Sequence, residues 1–237
     1  MKRSLEKEMM DLPGNPVHLL KEDLKNLRVI NRVLGAARGV LRCLRLTVRR
    51  DHVRSFSLLD VGAGSGDIAI SVVRWARRRG ISVRIVALEF HPVTARVARR
   101  LTADFPEISV LRGNGFSPPF FPGSFDFVCV SQVLHHFSED EIVALLRAWS
   151  RIARRGILVS DLIRHPLAYY GIRILTRLFT RNEMTRTDAP LSVKRAFTPG
   201  EWRELFARAG IGAVDLMPSF PFRLFAFLRL EGSGGAV

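Results

Sequence analysis

The stretch LLDVGAGSGD occupies residues 58–67 and packs three glycines into five positions behind an apolar run. A strand that runs into bare glycines and then opens a helix brings a ligand against backbone N–H groups. Two nucleotide devices are excluded by the residues themselves. A phosphate-cradling loop needs Lys and then Ser or Thr after its last glycine, and here Asp67 and Ile68 follow Gly66. A dinucleotide fingerprint needs G-x-G-x-x-G, whereas the pattern is Gly62-x-Gly64-x-Gly66. Asp67 stands where a pyrophosphate would rest, so the loop repels phosphate and suits an ammonium group. Asp67 also reads as a plain helix cap. Asp60 adds a second carboxylate just before the loop. Glu89, at the end of the next predicted strand, is placed to accept both hydroxyls of an unphosphorylated ribose. The implied ligand has a nucleoside end, no phosphate and a cationic end.

Outward from the loop, short continuous apolar runs alternate with amphipathic stretches. Strands are predicted over 56–62, 83–90, 108–113, 124–132 and 156–162, and helices over 67–79, 92–104 and 139–154. Strands apolar on both sides, separated by helices, mean a mostly parallel sheet covered on both faces. Residues 17–48 read as two helices, 165–182 as another, and 182–190 as a polar link. Thr198-Pro199-Gly200-Glu201 opens a further helix with a capping box. The last apolar piece reads as two strands joined around Pro218 to Pro221. The tail 231–237 is expected to fray.

In family order, LLDVGAGSGD, ALEF, RGNGFSPPF, SFDFVCVSQVLHHF and ILVSDL resemble the motifs of class I SAM-dependent methyltransferases. The resemblance covers residues 56–162 and extends to the ubiquinone/menaquinone-biosynthesis branch and to small-molecule O-methyltransferases. It implies a Rossmann-like α/β sheet of seven strands, in the order 3-2-1-4-5-7-6 with the last antiparallel. It implies S-adenosyl-L-methionine (SAM) as cofactor and S-adenosyl-L-homocysteine as product. Carried onto this chain, Asp60, Gly62, Gly64 and Gly66 would lie along methionine and ribose, with Asp67 near them. Glu89 would take the ribose and Phe90 would pack on adenine. Asn114, before Gly115, replaces the Asp that commonly contacts the adenine amino group. Ser131 and Gln132 would sit beside the sulfonium. His135 and His136 follow the fourth strand and Asp161 ends the fifth, so they are the candidate base and its acid, with His165 a third choice. Some relatives that methylate carbon also carry such a Leu-His-His stretch.

Residues 1–55 are expected to form a helical cap, 56–230 the core, and 163–197 a lid bearing Tyr169, Tyr170, Phe179, Met184 and Phe197 over the acceptor pocket. No Pro-Pro-aromatic loop follows the fourth strand, which disfavours nucleic-acid and peptide amine acceptors and leaves a small, apolar, hydroxylated molecule. O-methylation is favoured over C-methylation, and a non-catalytic SAM-binding protein is the alternative. The chain carries a net charge of +15, and all but five of its 37 basic residues are Arg. Arg scattered over solvated faces accounts for this without a nucleic-acid partner, while peripheral membrane contact stays open. No metal-ligand spacing involves Cys43 or Cys129, so no metal is expected and both read as buried thiols. Without a secretory h-region or a long apolar span, a cytoplasmic monomer or homodimer is expected.

Overall fold

The computed structural model describes residues 1–230; the tail lies outside the described residues. Seven strands form one sheet: β1 (Ser55–Val61), β2 (Ser82–Glu89), β3 (Ile108–Arg112), β4 (Phe125–Ser131), β5 (Ala153–Leu162), β6 (Ala213–Ser219) and β7 (Arg223–Arg229). Their order is β3-β2-β1-β4-β5-β7-β6. The first five are parallel, and β7 runs antiparallel between β5 and β6. The order reverses between β1 and β4, so the crevice at their carboxyl ends is where this architecture binds ligands.

Among the described residues, eight α-helices accompany the sheet: α1 (Val17–Val33), α2 (Ala36–Arg50), α3 (Asp67–Arg77), α4 (Pro92–Leu101), α5 (Glu139–Ile152), α6 (Pro166–Phe179), α7 (Glu183–Arg195) and α8 (Pro199–Ala209). The central strands are apolar on both sides because helices cover both faces. Leu59, Val128 and Ile157 meet α5 and α8 in one cluster, and Leu58, Phe127 and Leu158 meet α2 and α3 in the other. Ser138 and Glu141 close a capping box on α5, and Thr198 and Glu201 another on α8. Each satisfies helix N–H groups that would otherwise lack partners.

Where α2 crosses β7, Gly39 lies directly on Phe225. A Cβ there would fall 1.9 Å from the ring. Ala normally gains up to about 1 kcal/mol over Gly inside a helix, but overpacking costs about 1–3 kcal/mol. Gly39→Ala is therefore expected to lower stability by about 1–2 kcal/mol, seen as a lower urea midpoint with an unchanged slope. A raised midpoint would mean that the α2–β7 contact is looser than described.

The expected polar link at 182–190 is instead the start of α7. Asn182 caps it by accepting from Thr185 N at 3.0 Å. Its buried face mixes Met184, Ala189, Pro190 and Val193 with Thr185, Asp188 and Arg195, and the polar groups are paired: Thr185 donates to Asp23 Oδ1 of α1 at 2.7 Å, and Asp188 accepts from Met9 N and Met10 N. Tertiary hydrogen bonds thus replace the apolar stripe that marks a helix in sequence.

Candidate active site

A cavity of about 1570 Å³ opens at the carboxyl ends of β1, β2 and β4. That exceeds the usual range of roughly 300–1,000 Å³ for a single small ligand, so there is room for a cofactor and an acceptor together. Its lining includes both the glycine loop and the His135–His136 pair.

The loop leaves β1 with Gly62, Gly64 and Gly66 all at positive φ. That conformation is strained for side chains with a Cβ. At Gly64 a Cβ would project into open space, and Gly66 caps α3. Glu89 pins the loop: Oε2 accepts from Gly64 N at 2.8 Å, and Oε1 from His91 N at 2.9 Å. Burial raises the Glu89 carboxyl above its usual range, and the backbone donors oppose that rise. Asp60 is more extreme. It is fully buried, its Oδ2 has no partner, and burial together with the Glu89 and Asp67 charges pushes it up to about 7. A buried carboxylate edge without a protein donor suits a cation or a hydrogen-bond donor. Asp67 is the first residue of α3 rather than its cap, and it pairs with Arg28 of α1 at 2.8 Å.

The other expected cofactor residues share the cavity. Phe90 lines it and is largely exposed. Asn114 lines it too, but its Oδ1 already accepts from Phe116 N at 2.9 Å. The oxygen expected to meet an adenine amino group therefore also braces its own loop. Gly115 accepts from Trp149 Nε1, and Ser131 ends β4. Gln132, at φ 57°, donates to Asn31 Oδ1 and ties the end of β4 to α1.

The 3-10 turn Leu134–His136 follows β4. His135 is buried, and its Nδ1 donates to Asp161 Oδ1 at 2.7 Å. Burial opposes ionisation of Asp161, but the His135 ring and Leu162 N–H hold its carboxyl below the usual range. His136 turns to a different acid and donates from Nδ1 to Asp11 Oδ2 at 2.7 Å. So Asp161 stands behind His135 alone. Both Nε2 atoms face the buried carboxyl of Glu8, at 3.6 and 3.8 Å. Burial, against the pull of His136 and Ser192, raises Glu8 to about 7. Two imidazole nitrogens and a carboxylate thus converge within reach of one another. Arg195 braces the turn by donating to the carbonyls of His135 and His136.

Glu8, Asp11 and Arg195 are the residues that sequence reasoning missed. Glu8 and Asp11 lie in a segment without periodicity and meet the histidines only through the fold. The expected lid side chains do not line the cavity: Met184 and Phe197 are core, Tyr169 lies under Lys194, and Tyr170 and Phe179 face solvent. Phe116 and Phe137, edge to face at 5.1 Å, supply an aromatic wall instead. His165 caps α6 and stacks on Phe222, away from the cavity lining.

Residues 58–156 match a methyltransferase domain family. A curated 2-phytyl-1,4-naphtoquinone methyltransferase of Thermosynechococcus vestitus is 30% identical over 78 residues, 33% of each chain. The match thus spans a third of that relative's length. A SAM-dependent methyltransferase from Aquifex aeolicus has the same fold, with a TM-score of 0.63 at 16% identity over 88% of this chain and 97% of that one. Human N-acetylserotonin methyltransferase, solved in complex with SAM, gives 0.63 at 20% identity over 97% of this chain and 63% of its own. Residues 58–156 are thus a methyltransferase domain, in a chain whose fold, with the strand order 3-2-1-4-5-7-6, is that of SAM-dependent methyltransferases. SAM is its cofactor, and the residues present suit it: open space at Gly64, an unpartnered acid at Asp60, and Glu89 at the end of β2.

Proposed function

We propose that the protein methylates a hydroxyl group of a small, apolar, phenol- or quinol-type acceptor. The observation that carries this reading is one cavity lined by both the glycine loop and a carboxylate-backed imidazole, His135–Asp161 at 2.7 Å. Bound SAM supplies a methyl group on a sulfonium, open to in-line displacement. The chain's part is to hold, orient and deprotonate. Glu89 takes the ribose hydroxyls, Phe90 and Asn114 the adenine, and Asp60 with the Gly62–Gly66 loop the methionine end. Asp67 acts beside them with its charge offset by Arg28. Gly115, Ser131 and Gln132 complete the wall between cofactor and acceptor. Phe116 and Phe137 pack on an apolar ring. His135 Nε2 receives the acceptor's proton, and Asp161 fixes the tautomer that makes this possible. His136 and Glu8 share that proton.

Residues 1–55 serve as the cap, since Glu8, Asp11 and α1 contribute to the lining; of 163–197, α7 supplies the lid. The quinone named for the Thermosynechococcus relative supports an apolar ring system as the acceptor and does not bear on the accepting atom. The test is turnover with SAM against a panel of apolar phenols, quinols, alcohols, nucleic acid and peptide. A methyl ether, with one S-adenosyl-L-homocysteine per product, is expected from phenols or quinols only. A carbon-methylated product, or transfer to nucleic acid, would overturn the reading.

A further inference from the structure

The lid assignment leaves α6 without a task. Its inner side packs on α7, with Thr176 buried and Arg186 of α7 donating to the carbonyls of Arg177 and Thr180 at its end. Its outer side is apolar. Leu167, Tyr170, Ile174 and Leu178 follow one another at spacings of three, four and four, and all are exposed. That spacing draws a single stripe along the helix. Phe179 adds to one flank at 78% exposure. At the other end, His165 stacks on Phe222, and Phe222 adjoins Phe220, which is 89% exposed at the β6–β7 turn. The patch therefore runs from that turn along the whole helix. Patches this continuous on a folded surface mark a contact.

The charges beside it say what the contact is. Arg173 and Arg177, four residues apart next to the stripe, are exposed, and Arg181, also exposed, follows the helix end. From Leu162 to Asn182 there is no Asp or Glu. An apolar stripe flanked by cations with no acid is the pattern of a helix lying in a lipid–water interface. A second copy of the chain fits poorly, since an isologous contact would bring these arginines together on two proteins of charge +15 each. We propose that α6, with Phe220, docks the protein on the surface of an anionic lipid bilayer. The helix would lie in the plane, with Leu167, Ile174 and Leu178 below the headgroups and the arginines among them. No helix of the described residues is long and apolar enough to cross a membrane. Docking would set α7, which lines the cavity, one helix away from the lipid; the proposal does not depend on which acceptor is methylated.

Cosedimentation of the full chain with vesicles tests it. Binding is expected with phosphatidylglycerol in phosphatidylcholine, not with phosphatidylcholine alone, and should weaken as salt rises. Arginine at such a surface contributes about fivefold in partition per residue, so Arg173→Gln with Arg177→Gln should lower binding by on the order of tenfold or more. Ile174→Asp with Leu178→Asp should do the same. Both pairs are exposed, so SAM affinity should stay unchanged and report an intact fold. Equal binding of wild type and both variants would assign vesicle binding to the scattered charge and overturn the role of α6. A lipid-indifferent dimer that the Ile174/Leu178 pair dissociates would overturn it in favour of a second copy.

Discussion

Glu89→Ala is expected to weaken SAM binding by about a hundredfold or more. Charge-assisted hydrogen bonds contribute on the order of 1.5–3 kcal/mol each, and Glu89 is placed to give two to a ribose. The variant loses more than those contacts. Oε2 holds Gly64 N at 2.8 Å and Oε1 holds His91 N at 2.9 Å, so the same substitution unpins the loop. Glu89→Gln separates the two effects. Its amide oxygen can still accept from Gly64 but carries no charge, so a smaller loss, about tenfold, is expected. Calorimetry with SAM, S-adenosyl-L-homocysteine and NAD reads the outcome, with NAD silent throughout. A folded Glu89→Ala protein of unchanged SAM affinity would remove the ribose assignment.

Asp60 adds a pH signature to the same measurement. Burial and the neighbouring acids raise its carboxyl to about 7, so it carries a proton in the acid arm of the range. A cationic ligand favours the ionised form. Binding is linked to loss of that proton and should tighten as pH rises from about 6 to about 7.5. Asp60→Asn should flatten the slope. A wild-type affinity independent of pH over that span would mean that the cation does not face Asp60.

Much of this was legible because the sheet's demands are local. Val61 and Val130 sit in strands that are apolar on both sides, and only a doubly covered parallel sheet needs that. Gly62, Gly64 and Gly66 announce themselves because few other residues accept their positive φ. The misses share a different cause. Helix α7 hides Thr185 and Asp188 through hydrogen bonds to Asp23 and to the N-terminal segment, so a pattern that counts apolar residues cannot see it. Helix α6 was legible as a helix, but nothing local says which of its apolar faces meets a neighbour and which meets solvent. Glu8 reaches His135 across more than a hundred residues of chain, through Asp188 and Arg195.

That distant contact shapes the kinetic behaviour expected of the acceptor end. His135→Gln and Asp161→Asn should each lower turnover by about a hundredfold with SAM affinity intact, the size of a general-base contribution. The two should not add, because Asp161 acts only through the ring it orients at 2.7 Å. His136→Gln should cost less, since its partner Asp11 is exposed on the N-terminal segment. Glu8→Gln separates proton sharing from packing. It preserves shape but cannot ionise, so it matches the protonated form: turnover below about pH 7 should stay near that of wild type, and turnover above it should fall. The direction follows from the carboxyl held near 7: below that pH it keeps a proton beside Nε2, and above it the carboxylate can take one. An acceptor with a low-pKa phenol needs no base, so it should be methylated at similar rates by wild type and His135→Gln, whereas a weakly acidic alcohol should separate them. If both acceptors lose turnover equally, His135 positions the acceptor and does not deprotonate it.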